Sequence, residues 1–373
     1  MGAMEDVLQE DLAAVSQADY IPWNQLQGQS VLVTGGTGLI GSTVIKALCY
    51  ANTAKKLRLK IFALVRNLEK AEQMLGHENE VLHFLQGSVE QLPEINESVD
   101  YIIHGASPTA SLFFVEHPVE TIQIAVQGTS NLLKLAKEKA VKSFIYLSSM
   151  EVYGAPQADT LIPESQGCTL DSMTVRSCYP LSKRLCENLC ASYAQEYHVP
   201  AKVIRLAQTF GPGVLKDDKR VFAEFARDAM DGKDIVLQTS GTSKREYLYT
   251  ADAVTAILTV LLEGANGESY NAGNPETYCS IVEMAQLVVQ QIAEDKIQVQ
   301  FPYNETETSF KFPPSHHLHL DISKLENLGW KATKNLKAMY LRMIAVMEGI
   351  TKNDEVIFRR NNQRMIKYWY QNH

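Results

Sequence analysis

The stretch "SVLVTGGTGLIGSTVIKALCYA", Ser30 to Ala51, decides the fold. A short apolar run ends in a glycine-rich turn and passes directly into a segment whose apolar residues recur at helical spacing. Gly35, Gly38 and Gly41 fall at GxxGxxG spacing, and in this context each has a physical reason. They serve the tight turn, the close approach of backbone to a pyrophosphate, and the close packing of helix on strand, with the phosphates facing the helix N-terminus. Gly35, Thr37, Gly38, Leu39, Ile40 and Gly41 are therefore the candidate contacts to a dinucleotide.

The same logic repeats outward from this turn. "LKIFALVRN", "EVLHFLQGS", "VDYIIHGAS" and "KSFIYLSSM" read as four more buried strands, with helical segments such as "PVETIQIAVQGTSNLLKLAKEKA" between several of them. Short β-branched runs separated by helices predict right-handed crossovers and a parallel sheet covered on both faces. The expected class is α/β, a Rossmann-like doubly wound sheet followed by a smaller C-terminal α/β substrate-binding domain. From about Arg205 the chain becomes loop-rich, as in "GPGVLKDDKR" and "EGANGESYNAGNPETY". The expected organisation is a lead-in over 1–27, a dinucleotide-binding domain over 28–204, a mainly substrate-binding region over 205–350 with segments returning to the first domain, and a basic aromatic tail over 351–373.

Composition narrows the class. Of 373 residues, 45% are hydrophobic and 21% charged, as in a soluble globular enzyme. No run approaches the roughly 18 apolar residues that a bilayer span needs. The acidic start "MGAMEDVLQEDLAAVSQADY" lacks the basic opening and apolar centre of a signal peptide, so export is not expected. Six cysteines, at 49, 168, 178, 186, 190 and 279, show no CxxC pair, and they read as reduced thiols of a cytoplasmic protein without a metal site. The net charge of −8 gives no general attraction to nucleic acid. The exception is the tail, where Arg359, Arg360, Arg364 and Lys367 lie among aromatics. It reads as a terminal helix packing on the body, with a partner-binding site the alternative.

The end of the second strand bears on cofactor choice. An acid there holds a ribose 2′-hydroxyl, whereas an arginine can pair with a 2′-phosphate. The residue is Arg66, with no acid beside it, so the cofactor is NAD or NADP with a lean to NADP.

"CYPLSKRLCE" places Tyr179 and Lys183 four apart, on one face of a helix. A lysine ammonium near a phenol favours the phenolate, so the tyrosine can take a proton from a hydroxyl as hydride leaves the carbon. Ser149, at the end of the fifth strand, is placed to hold that hydroxyl.

With these residues in view, the chain resembles the extended short-chain dehydrogenase/reductases, specifically their nucleotide-sugar epimerases, dehydratases and decarboxylases. The resemblance runs over about residues 28 to 345 and rests on "VLVTGGTGLIGS", "HGASP", "SSMEVYG", "YPLSK", "FGPG", "REYLYTADAV", "YNAGNPETYCSIVEMAQLV" and "LDISKLENLGWKAT". It implies a nucleotide-sugar substrate oxidised transiently, commonly at C4, and a homodimer. Carried over by position, Ser149, Tyr179 and Lys183 are catalytic, and Lys183 and Tyr179 also contact the cofactor together with Ala106 and Ser107 of "HGASP". Arg245 would grip the nucleotide diphosphate, and Gln208 stands where the family usually has an asparagine that contacts substrate. Ser88 replaces an acid that usually contacts adenine, and Arg66 replaces the acid typical of NAD-using members.

Glu151 decides among reactions. The stretch "SSMEVYG" keeps this glutamate and has Met150 where dTDP-glucose dehydratases carry an aspartate, while many plain 4-epimerases lack the glutamate. "HGASPTAS" and "SSMEVYG" are most similar to the UDP-glucuronate decarboxylase group. Glu151 is expected to handle the C5 proton, and Met150 to form an apolar wall beside the sugar or nicotinamide. "HHLH", with His316, His317 and His319, reads as structural rather than metal-binding. Two other functions stay open from the sequence: an NADPH-dependent reductase of a keto-sugar or other carbonyl, and a dinucleotide-binding regulator without chemistry.

Overall fold

The computed structural model describes residues 2–109, 111–167, 170–302 and 316–349. The basic aromatic tail and Cys168 lie outside the described residues. In chain order the strands are β1 (Ser30–Thr34), β2 (Lys60–Val65), β3 (Leu82–Gln86), β4 (Tyr101–His104), β5 (Ser143–Ser149), β6 (Leu161–Ile162), β7 (Ala201–Leu206), β8 (Gln208–Phe210), β9 (Ile235–Val236), β10 (Lys244–Tyr249), β11 (Ser269–Ala272), β12 (Asn274–Ser280), β13 (Val299–Gln300) and β14 (His317–Leu320). The helices are α1 (Gly2–Gln17), α2 (Leu39–Lys55), α3 (Leu68–Leu75), α4 (Ser111–Glu116), α5 (Pro118–Glu138), α6 (Cys178–Tyr197), α7 (Val221–Asp231), α8 (Thr250–Glu263), α9 (Ile281–Gln291), α10 (Ser323–Glu326) and α11 (Leu336–Glu348).

The central sheet runs β3-β2-β1-β4-β5-β7-β11, and every neighbouring pair is parallel. The five strands expected from the sequence are its first five. The strand order reverses between β1 and β4, which opens the crevice where doubly wound sheets bind ligands. Side chains alternate between two apolar cores, as the pleat requires. Val31, Val33, Ile61, Ala63 and Ile103 face the core shared with α2 and α8. Leu32, Phe62, Leu64, Ile102 and Phe144 face the core shared with α5 and α6. Burial on both faces explains why these strands read as continuous apolar runs.

The second half contributes β7 and β11 to this sheet and builds a smaller one in the order β12-β10-β14-β6, with β8 pairing β10. β8 begins two residues after β7 ends, so the small sheet hangs directly from the carboxyl edge of the large one.

The acidic start is structured over Gly2–Gln17 and packs on α2, α8 and α11. Arg342 of α11 ties it down, donating to Asp11 at 2.8 Å, to Glu10 at 2.8 Å, and to the Val7 carbonyl at 3.0 Å. Among the described residues no helix is long and apolar enough to cross a membrane.

Candidate active site

Parallel register brings the candidate residues to one edge. Thr34 pairs with His104, and Ser149 pairs with Leu206, so the glycine turn, the segment after β4, the turn after β5 and the start of β8 all leave the sheet together. Gly35 has φ +75°, and a Cβ there would lie 2.8 Å from the Gly105 carbonyl carbon. A Cβ on Gly41 would lie 2.2 Å from the Gly35 carbonyl oxygen, so only glycine lets α2 start this close to the turn. Gly38 caps α2 without a side-chain hydrogen bond, which leaves the first-turn N–H groups near Leu39 and Ile40 directed at the crevice. This cradle fits a dinucleotide pyrophosphate.

His104 closes the turn from behind. Its Nδ1 is 2.8 Å from the Thr34 hydroxyl, and its Nε2 is 3.2 Å from Thr129. Burial first, and the Lys183 charge second, push the imidazole down to about 3, so it stays neutral. The Thr34 hydroxyl in turn accepts from the Ala106 N–H at 3.2 Å, which fixes the segment carrying Ala106 and Ser107. Arg66 lies exposed just beyond the end of β2.

Ser149, Tyr179 and Lys183 are brought together. Ser149 ends β5, and its hydroxyl caps the following turn, accepting from the Glu151 N–H at 3.2 Å, with the Tyr179 phenol on the same side. Lys183, 4% exposed, donates to the Leu147 carbonyl at 2.8 Å. Its ammonium lies 4.7 Å from the Tyr146 ring centre and 5.7 Å from that of Tyr179. Burial brings Lys183 down to about 8. The sequence reading has the lysine lowering the phenol, but in the structure the Tyr179 phenol is held above its ordinary range. Burial is the main cause and the Glu151 charge adds to it, against the Ser149 hydroxyl and the Arg176 charge.

Two residues beside this group carry no sequence signal. Arg176 donates to Glu151 at 2.9 Å, both side chains being more than a third exposed. Its guanidinium lies 4.8 Å from the centre of the Phe114 ring, and that ring stacks on Tyr179 at 4.3 Å and 16°. No spacing rule reports such stacking, which arises because α4 and the turn before α6 meet over Tyr179. Met150 is packed into the main apolar core at 4% exposure.

On the other side, Arg245 of β10 donates to Gln208 at 3.3 Å and faces His316 Nε2 at 3.2 Å. Burial, then the Arg245 charge, bring His316 down to about 4, so it accepts rather than competes as a cation. The Arg245 Nε is buried with no partner among the described residues, as expected of a guanidinium built to receive an anion. His317 and His319 turn elsewhere. One lies 3.8 Å from Asp159, and the other stacks on Tyr278 at 4.1 Å. No group of three or more potential metal ligands occurs among the described residues.

The fold and its edge define an α/β protein built around a dinucleotide site. The model of the NAD dependent epimerase/dehydratase family matches residues 31–273. UDP-glucuronic acid decarboxylase 3 of Arabidopsis thaliana is 30% identical over 82% of this chain and 85% of its own length. UDP-glucuronic acid decarboxylase 1 of Danio rerio is 29% identical over 90% of this chain and 76% of its own. A UDP-glucuronic acid 4-epimerase from Bacillus cereus, solved with UDP-glucuronic acid and NAD, shares the fold with a TM-score of 0.70 at 21% identity, over 87% of this chain and 100% of that one. A dTDP-glucose 4,6-dehydratase from Streptomyces venezuelae, solved with NAD and TYD, does so with a TM-score of 0.70 at 20% identity, over 86% and 97%. The chain belongs to the NAD dependent epimerase/dehydratase family, and is an enzyme of the extended short-chain dehydrogenase/reductase type.

The buried ammonium has a stability consequence. Between about pH 8 and the ordinary lysine value of 10.5 the unfolded chain holds a proton on Lys183 that the folded chain does not, so this group's contribution to stability rises with pH across that window. At pH 7 the charge costs on the order of 3 kcal/mol, before counting its bond to Leu147. Lys183→Met is expected to raise the urea midpoint of the cofactor-free protein at pH 7, to gain less near pH 10, and to abolish turnover. A midpoint lowered equally at both pH values would contradict this.

Proposed function

We propose that the enzyme decarboxylates a nucleotide-activated hexuronate by way of a transient 4-keto sugar. The reading is carried by Lys183, seated on the Leu147 carbonyl at 2.8 Å with its ammonium 5.7 Å from the Tyr179 ring centre, and by the Glu151 carboxylate close enough to raise the phenol. The decarboxylase relatives at 30% identity support the choice of outcome.

A dinucleotide held by the glycine turn would supply the acceptor for the C4 hydride and the donor for its return. Ser149 holds the C4 hydroxyl, and Tyr179 takes its proton. Arg176 is the cation that favours the phenolate against burial and Glu151, and Lys183 holds its ammonium beside the same ring. Once C4 is a ketone the sugar is a β-keto acid: the C5–C6 bond breaks, its electron pair passes into the C4–C5 enolate, and carbon dioxide leaves. Glu151, having taken up a proton from solvent, passes it to C5, and Tyr179 returns its proton to the C4 oxygen as the hydride comes back. Arg245, with Gln208 and His316, holds the nucleotide diphosphate.

Two further features belong to this reading. Arg66, exposed and without an acid beside it in the sequence, supports use of NADP as well as NAD. The same residue favours a second reading, in which NADPH is consumed to reduce a keto-sugar. Val119 and Ile122 on α5 and Leu185 on α6 are exposed large apolar residues on helices that pack against each other, which supports a homodimer through that face.

Three outcomes are expected. The purified protein should release carbon dioxide from UDP-glucuronic acid without net reduction of added dinucleotide, and Glu151→Gln should lower kcat by about 10²- to 10⁴-fold. Unchanged kcat would remove Glu151 from the chemistry, and net NADPH oxidation would favour the reductase. Arg66→Asp should shift the ratio of NAD to NADP affinities at least about tenfold toward NAD, worth about 1.4 kcal/mol, as read by titration of the cofactor-free protein. An unchanged ratio would end that assignment. Light scattering should give twice the chain mass, and Ile122→Arg a single chain; a wild type of single-chain mass would contradict the dimer.

A further inference from the structure

Arg176 is placed by two independent contacts. Its Nη2 rests on Glu151 at 2.9 Å, and its guanidinium lies over Phe114, whose ring covers Tyr179. One donor of the fork is used on Glu151, and the side chain is still 37% exposed. It stands three residues before Tyr179, on the short 3₁₀ turn Val175–Ser177 that leads into α6, so its position is tied to that of the catalytic phenol.

A pyranose whose C4 hydroxyl lies against Ser149 and Tyr179 carries C6 only two bonds from C4. A carboxylate at C6 entering this site meets Glu151, and two unneutralised carboxylates side by side repel. A guanidinium already holding one carboxylate by a single donor still offers the remaining edge of its planar fork to a second. The contact to Phe114 sets the plane of that fork without using its donors.

We propose that Arg176 is the specificity-determining residue for the sugar's C6 carboxylate, one guanidinium shared between Glu151 and the substrate. A neutral hydroxymethyl group at C6 gains no charge-assisted bond there and is discriminated against. This assignment rests on the hexuronate reading above for its substrate class. The sharing also keeps Arg176 from gripping the carboxylate as a full bidentate clamp, which would oppose its departure as carbon dioxide.

The test is calorimetric binding of UDP-glucuronic acid and UDP-glucose, which differ only at C6, to the full chain and to Arg176→Gln, Arg176→Lys and Glu151→Gln. The wild type should prefer UDP-glucuronic acid. Arg176→Gln should weaken that ligand by about 10- to 100-fold while leaving UDP-glucose within about twofold. Arg176→Lys should recover part of the loss, and Glu151→Gln, which frees the whole fork, should bind UDP-glucuronic acid at least as tightly as the wild type. Equal weakening of both ligands by Arg176→Gln, or of neither, overturns the assignment, as does a wild type that binds both alike or neither. Binding and chemistry separate the two claims. If the wild type holds UDP-glucuronic acid but releases no carbon dioxide, the decarboxylase reading fails, and loss of the C6 preference in Arg176→Gln still upholds the role of Arg176.

Discussion

The site depends on a lysine ammonium set inside the protein on the Leu147 carbonyl. Lys183 has no carboxylate hydrogen-bonded to it among the described residues, and burial opposes its charge. What the arrangement secures is geometry. Leu147 lies two residues before Ser149 on β5, and Lys183 lies one helical turn after Tyr179 on α6. The bond between Lys183 and Leu147 therefore clamps helix to strand at the level where phenol meets hydroxyl. The rings of Tyr146 and Tyr179 flank the ammonium and offer it their π faces in place of water.

Behind this clamp a polar network carries the same alignment into the rest of the molecule. Ser148 donates to Glu187 at 2.5 Å, and Glu187 accepts from Arg205 of β7 through two donors, at 2.7 to 3.2 Å. Arg205 also donates to the Tyr153 hydroxyl at 2.8 Å, which donates to Asn271 of β11 at 2.6 Å. Asn271 then donates to the carbonyls of Ile162 and Asp321, which flank the small sheet. The turn bearing Glu151 is thus tied at Tyr153 to both sheets at once. An ion pair this buried gives little net stability over apolar packing, but removing one partner strands a charge, so its effect is to fix position.

The large sheet was legible because both its faces are buried, which writes each strand as a short apolar run between glycine-marked turns. "SYNA" was not legible as β11, because it is four residues long in a glycine-rich stretch and becomes a strand by pairing with β7. The helix at the N-terminus was not legible either, since its acidic sequence gains its partner from Arg342, 331 residues beyond Asp11. Tyr179, Lys183 and Ser149 could be read because spacing along a helix and position at a strand end are local properties. Arg176, Phe114 and His316 could not, because each acts through a neighbour brought in by tertiary packing.

All of these elements converge on one claim, that the hydride taken from C4 stays within the site and comes back to the same carbon. Turnover of UDP-glucuronic acid labelled with deuterium at C4 measures it most directly, with the product examined by mass spectrometry and proton NMR in the presence of excess unlabelled dinucleotide. The account predicts a product of one carbon fewer that retains the label at C4, and a primary isotope effect on single turnover. A product without deuterium at C4, with the label found in the free dinucleotide pool, would contradict it.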